Sequence, residues 1–245
     1  MDFNGRVALI TGAAVGIGRA VALQLAERGA DLCLLDINEE KLTAVRSECA
    51  AFGRDVQCFV CDVSDEAQVN GVVAEALAHF GRIDLLVNNA ALWRQSATFL
   101  ELSTADWRKF FDINLFGTVF VTKAVLPTMI EHHYGRIVNV GSVAGVYGNR
   151  KMSHYSATKG AVISLSKALA KEVAGEGVTV NTVSPGTVTS STNEDIDAVT
   201  PNELNYTGRT GSDRENADLI CFLLGENAAY ISGQNIQIDG CRKII

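Results

Sequence analysis

The sequence predicts a single α/β domain built on a doubly wound, seven-stranded parallel sheet with helices on both faces. Three observations predict it. Short apolar, β-branched runs alternate with longer helical ones along nearly the whole chain, as βαβ units do. A glycine-rich turn, TGAAVGIG (Thr11 to Gly18), falls where the first strand becomes the first helix. The 245 residues, 47% of them hydrophobic, suit one sizeable core, and no linker divides them.

The first strand is VALIT (Val7 to Thr11), an apolar run stopped by glycine, and a helical pattern follows from about Gly16 to Arg28. DLCLLD (Asp31 to Asp36) is the second strand, with a helix from about Glu39 to Phe52. VQCFVCD (Val56 to Asp62) and a helix from about Glu66 to Phe80 come next, then IDLLVNN (Ile83 to Asn89). The fifth strand is GRIVNVGS (Gly135 to Ser142) and the sixth VTVNTVSP (Val178 to Pro185), with the long helix Ser156 to Ala174 between them. NIQID (Asn235 to Asp239) is the seventh. These near-continuous apolar runs are what strands covered on both faces require. The segment from about 186 to 209 has no clear periodicity and is too short for a domain, which predicts a substrate lid, with a passive surface loop as the alternative.

Composition narrows the function. With 28 acidic against 21 basic residues, no basic stripe suits a nucleic acid or an anionic membrane. The start, MDFNGRVALITG, lacks the basic opening and long apolar stretch of a signal peptide, and no apolar run looks long enough for a membrane span. A cytoplasmic protein is expected. Six cysteines are too sparse for a disulfide scaffold, and CFVC (Cys58 to Cys61) has no second pair to complete a metal site. No metal is expected.

The glycine turn carries the first functional signal. Gly12 permits the tight turn, Gly16 lets backbone approach a pyrophosphate, and Gly18 allows close helix packing, while the helix N-terminus offers N–H donors. Strand, turn, helix and an acidic residue closing the second strand occur in the order a Rossmann dinucleotide site needs. Asp36 is that residue, placed to accept hydrogen bonds from the adenosine ribose. A 2′-phosphate would meet like charge there, with Val15 and Ile37 rather than a cation beside it, so NAD is favoured over NADP. Asp62 ends the third strand similarly, placed to meet adenine. Thr11, Asp36, Asp62, Asn88, Ser142 and Ser184 all fall at carboxyl ends of strands, the rim where such sheets bind ligands.

Tyr155 and Lys159, in SHYSATKG, stand four apart and share one face of a helix. Together with TGAAVGIG, CDV (Cys61 to Val63), NNAA (Asn88 to Ala91), Asn114, Ser142, and Pro185 with Gly186, this stretch resembles the short-chain dehydrogenase/reductase family over almost the whole chain. The resemblance is strongest to members that reduce 3-oxoacyl thioesters on acyl carrier protein. It implies hydride transfer between a nicotinamide cofactor and a small-molecule alcohol or ketone, with a proton moved to or from the oxygen.

The resemblance implies a catalytic set of Asn114, Ser142, Tyr155 and Lys159. Tyr155 would carry the proton, its phenolate favoured by the neighbouring ammonium. Lys159 would also hold the nicotinamide ribose, Ser142 the substrate oxygen, and Asn114 a proton-relaying water. Ser142 and Asn114 remain open to simpler readings, a turn cap and a satisfied helix backbone. Ile17, Val63, Asn89, Thr187 and Val188 complete the implied cofactor contacts, and a homotetramer is implied as well. Ala91, Ser190 and Cys241 depart from the family pattern, leaving local packing and lid contacts in question. Trp93, Arg94, Gln95, Tyr147, Arg150, Lys151 and His154 are candidate pocket residues. An NADPH-dependent 3-oxoacyl reductase is the alternative enzyme, and a dinucleotide-sensing scaffold the alternative outside catalysis.

Overall fold

A computed structural model describes residues 2–189 and 195–243. Seven parallel strands form one sheet in the order β3-β2-β1-β4-β5-β6-β7. They are β1 Val7–Thr11, β2 Asp31–Asp36, β3 Val56–Val60, β4 Leu85–Asn88, β5 Gly135–Val140, β6 Val178–Pro185 and β7 Asn235–Ile238. The order reverses between β1 and β4, and a doubly wound sheet opens its ligand crevice at that switch.

Alternate residues of each strand feed two cores. Ala8, Ile10, Leu32 and Leu34 face α1 (Gly16–Glu27), α2 (Glu39–Ala50) and α8 (Asp213–Leu224). Leu9, Cys33, Leu35 and Leu86 face α3 (Glu66–Phe80), α5 (Gly117–Glu131) and α7 (Ser153–Val173). Burial on both faces explains why the strands read as continuous apolar runs. Each fully buried leucine or isoleucine contributes about 1.5–3 kcal/mol relative to exposure.

The observed first, second and sixth strands and the third helix match the expected bounds, and the other ends move by three residues at most. The long helix starts at Ser153 rather than Ser156, so Tyr155 lies in its first turn. Met152 precedes it with no side-chain cap, which left the sequence without a start signal. Thr104–Glu131 is one 28-residue helical run of mean hydropathy 1.5 in its most apolar window, long and apolar enough to cross a bilayer by composition. The expectation that no run reaches that length is corrected. In the fold, Phe110, Val121, Val125 and Met129 of this run are buried.

That run is not uniformly wound. α4 (Thr104–Phe111) passes through a π-turn at Asp112–Phe116 before α5 begins, a wide turn often found where function needs it. At the amino ends of the strands, Asp84 is fully buried and accepts from Val7 N, Arg6 and Arg82. Arg6 stacks on the Tyr134 ring at 3.6 Å, and Glu226 ties Arg6, Arg136 and the Tyr134 hydroxyl together.

Candidate active site

The opposite rim holds a cavity of about 610 Å³ that runs from Asp36 and Asp62 at one end to Ser142, Tyr155 and Lys159 at the other. At the β1–α1 turn, Gly12 has φ +63° and Gly18 lies so close behind it that an added Cβ would sit 2.1 Å from the Gly12 carbonyl oxygen. Only glycine fits there, and the packing role read for Gly18 holds. Asp36 clasps the turn: its carboxylate accepts from Ala14 N at 3.0 Å and from Asn38 N at 2.9 Å. Asn89 supports it from β4 by donating to the carbonyls of Thr11 and Gly12.

Of the six polar residues expected at this rim, Asp36, Asp62 and Ser142 line the cavity. The others serve the fold, which corrects the expectation that all six form a site. Thr11 Oγ1 accepts from the N–H groups of Asn89 and Ala90. Asn88 donates to Thr122 and Asn139, whose amide in turn donates to Ser166. Ser184 donates to Asn235 at 2.6 Å. A buried polar side chain without such partners costs several kcal/mol, so these residue types recur beneath a site without entering it.

The expected cofactor contacts Gly12, Gly16, Ile17, Asp36, Asp62, Val63, Asn89, Thr187 and Val188 all line the one cavity. Gly18 stands just behind it. Ser142 ends the β5 loop and caps the short helix α6 (Val143–Tyr147), accepting from Ala144 N at 3.1 Å while still facing the cavity. Both readings of Ser142 therefore apply. A close contact brings it to Tyr155: a Cβ on Gly145 would lie 2.6 Å from Gly160 N, so only glycine at 145 lets α6 lie this tightly on α7.

Lys159 is buried, and its ammonium donates to the Val140 carbonyl at 2.6 Å and stands 5.9 Å from the centre of the Tyr155 ring. Burial pulls its pKa down to about 8. Burial likewise pushes the Tyr155 phenol up, with Ser142 opposing the shift. In the chain alone, burial thus favours the neutral phenol.

Asn114 sits in the π-turn, fully buried, behind the cavity wall rather than in it. Its amide accepts from Leu92 N at 2.7 Å and donates to Leu92 O at 2.9 Å and Thr158 Oγ1 at 3.1 Å. It therefore fixes the 90–93 segment that lines the cavity.

Among the candidate pocket residues, Trp93 lines the cavity, with the Arg94 guanidinium 5.0 Å from its ring centre. Gln95 turns away to Asp106. His154 is fully buried against the Phe110 ring at 3.9 Å, away from the cavity, which corrects its place among the candidate pocket residues. Asn149, Met152, Asp213 and Arg242 line the cavity and were missed. Asp213 carried a readable signal, since SDRE (Ser212 to Glu215) is a capping box at the start of α8. Arg242 follows the DGC stretch (Asp239 to Cys241), which gave no sign that the next side chain enters the cavity. Of the departures, Ala91 lines the cavity, Cys241 adopts φ +60°, and Ser190 lies outside the described residues. Cys58 and Cys61 belong to β3 and its end, with burial raising both thiols to about 11.

A glycine cradle at a helix N-terminus, a strand-end carboxylate, and a Ser, Tyr and Lys on one wall make a site for a dinucleotide beside a reacting oxygen. Comparison with known proteins agrees. Residues 6–200 match the family described as short chain dehydrogenase. The chain is 39% identical to a 3-oxoacyl-[acyl-carrier-protein] reductase of Thermotoga maritima, over 98% of each chain. It is 37% identical to the (2S)-[(R)-hydroxy(phenyl)methyl]succinyl-CoA dehydrogenase subunit BbsD of Thauera aromatica, over 100% of this chain and 99% of that one. A crystal structure of NAD+-bound xylitol dehydrogenase superposes with a TM-score of 0.89 at 33% identity, covering 98% of this chain and 100% of that one. With fold, cradle and matched length in agreement, the chain belongs to the short-chain dehydrogenase family of oxidoreductases.

Proposed function

We propose that this protein transfers a hydride between NAD(H) and a secondary alcohol or ketone, using Ser142, Tyr155, Lys159 and Asn114. The observation that carries the reading is the convergence of Ser142, Tyr155 and Lys159 on one end of a cavity whose other end is Asp36. The nicotinamide supplies or accepts the hydride. Everything else falls to the chain. Ser142 holds the reacting oxygen, and Tyr155, kept neutral by burial, donates its phenolic proton to that oxygen in reduction. In oxidation the same oxygen returns a proton to Tyr155, whose phenolate Lys159 stabilises from the same helix face. Asn114 positions the 90–93 wall.

Asp36 underlies the choice of NAD. Both carboxylate oxygens already hold backbone N–H groups, so the charge is fixed in place, and Ile37 beside it is exposed and uncharged. A 2′-phosphate would face that carboxylate with no cation beside it among the described residues that line the cavity's adenosine end. A second reading, NADPH-dependent reduction of 3-oxoacyl groups on acyl carrier protein, draws support from the reductases this chain is similar to. Titrating NADH and NADPH against a panel of ketones, followed by absorbance, separates the two. Strong NADPH preference would overturn the role given to Asp36.

The single domain is completed by a substrate lid at about 186–209. Residues 190–194, including Glu194, lie outside the described part. Of the rest, Thr189 and Thr210 share a 2.6 Å hydrogen bond beside the cavity. A homotetramer is also proposed: Phe116 is 44% exposed and stacks on Phe120, an apolar surface that a neighbouring subunit would cover. Sedimentation of the purified protein tests it.

A further inference from the structure

The reacting end of the cavity carries a cation that the hydride chemistry does not use. Arg242 lines the same cavity as Ser142 and Tyr155, is half-buried, and forms no ion pair with any described residue. One guanidinium nitrogen donates to the neutral amide oxygen of Asn149 at 2.9 Å. Asn149 in turn donates its backbone N–H to Ser156 Oγ, on the residue after Tyr155, at 3.1 Å. Two hydrogen bonds therefore tie the guanidinium to the first turn of α7, which also carries Tyr155.

The backbone around Arg242 is set for this. Gly240 and Cys241 are consecutive residues in the left-handed region, at φ +63° and +60°, a conformation that costs a cysteine about 1–2 kcal/mol. The Asp239 carboxylate accepts from Cys241 N and Arg242 N, so it holds the turn rather than neutralising the guanidinium. The strand-like pairing of Asn205 with Arg242 and the bond from Lys243 N to Leu204 O fix the segment on either side.

Charge in the cavity is divided. Its carboxylates among the described residues are Asp36, Asp62 and Asp213. The first two belong to the adenosine end, and Asp213 starts α8, which packs along α1. Among the described residues, the wall formed by Ser142, Tyr155, Asn149 and Met152 has Lys159 and Arg242 as its charged groups. Lys159 donates to the Val140 carbonyl and serves Tyr155 in the reading above, whereas Arg242 keeps donors in a planar fork whose geometry matches a carboxylate.

Resting on the hydride-transfer reading above, we propose that Arg242, steadied by Asn149, receives a carboxylate of the substrate, so that this enzyme acts on hydroxy acids and oxo acids. The carboxylate and the reacting oxygen would belong to one molecule spanning Arg242 and Tyr155. A charge-assisted bond in a partly buried site makes the acid far better bound than its neutral ester.

The test compares a 3-oxo acid, its methyl ester and the matching oxo phosphonate, with NADH and NADPH, in the wild type and in Arg242→Met, Arg242→Lys and Asn149→Ala. The wild type is expected to favour the acid over the ester by about 100-fold in kcat/KM, mostly through KM. Arg242→Met should collapse that ratio, and Arg242→Lys should restore part of it. Asn149→Ala, which leaves the charge but frees it, should raise KM for the acid more than for the ester. An equal loss on acid and ester in Arg242→Met would show a structural role and overturn the proposal, as would a wild type that prefers the ester or the phosphonate. Tight NADH binding by each variant, read by fluorescence, guards against misfolding. Absence of turnover on every ketone and alcohol would sink the hydride-transfer reading itself, a different result from turnover on neutral substrates alone.

Discussion

Asn114 and Leu92 are joined by two hydrogen bonds, one in each direction, between a side-chain amide and a backbone peptide 22 residues away. The pair locks the cavity wall to the π-turn. Asn114→Ala leaves both Leu92 groups without partners in a part-buried setting, at up to about 1–3 kcal/mol each. The variant should lose about 2–4 kcal/mol in urea unfolding and raise KM for cofactor or substrate. Unchanged stability would mean that water replaces the amide.

Tyr155→Phe removes the hydroxyl that moves the proton in the proposed reaction. The expected loss in kcat is about 10²–10⁴-fold, the range for general acid–base groups. NADH binding measured by fluorescence should change little by comparison. A variant that retains full turnover would defeat the proposed chemistry.

Asp213 gives a pH dependence whose sign follows from its surroundings. It is 5% exposed, and burial raises its carboxyl to about 6, with Arg19 of α1 opposing. Its neighbours on α8 are engaged elsewhere, Arg214 with Asp197 and Glu215 with Arg209. The folded chain therefore keeps a proton that the unfolded chain releases near pH 4. Wild-type stability falls as pH rises from about 4 to 6, and the penalty is complete above that. Asp213→Asn should raise Tm by about 2–4 °C at pH 8, equivalent to about 1 kcal/mol, and by much less at pH 4. An equal gain at both values would show that the carboxyl's charge is not the cause.

Gly18→Ala places a methyl group against the Gly12 carbonyl, and backbone has to move to admit it. About 1–3 kcal/mol of destabilisation follows from overpacking of this kind. Loss of NADH affinity should accompany it, because the displaced carbonyl belongs to the cradle. Thermal unfolding and NADH fluorescence on one preparation check both effects.

The cofactor half of the site was legible because its chemistry is written in short order along the chain. Gly12, Gly16, Gly18 and Asp36 lie within 25 residues, and each answers a local backbone or charge requirement. The substrate half was not. Asn149 and Arg242 are 93 residues apart and meet only through the fold. His154 beside Tyr155 drew notice by its position in sequence, yet helical spacing turns it toward Phe110. The π-turn left no mark either, since DINLF has no glycine or proline to announce a change of winding. Asn88 and Ser184 looked like site residues because strand-end polarity is the same whether the partner is a ligand or a neighbouring side chain.

The wide turn at Asp112–Phe116 has one last consequence. It holds one residue more than a regular turn, so the helices on either side are out of phase by roughly 100°. Substitutions there test chemistry one side chain at a time, but a single-codon deletion would test phase. Removing any one of those five residues would let the helix wind evenly, and one of its two partners would lose its face. Either α5 keeps its packing on the sheet and Asn114 swings off Leu92, or Asn114 stays and α5 presents the wrong side to the core. The reading frame of this helix, counted in residues, is thus part of the site.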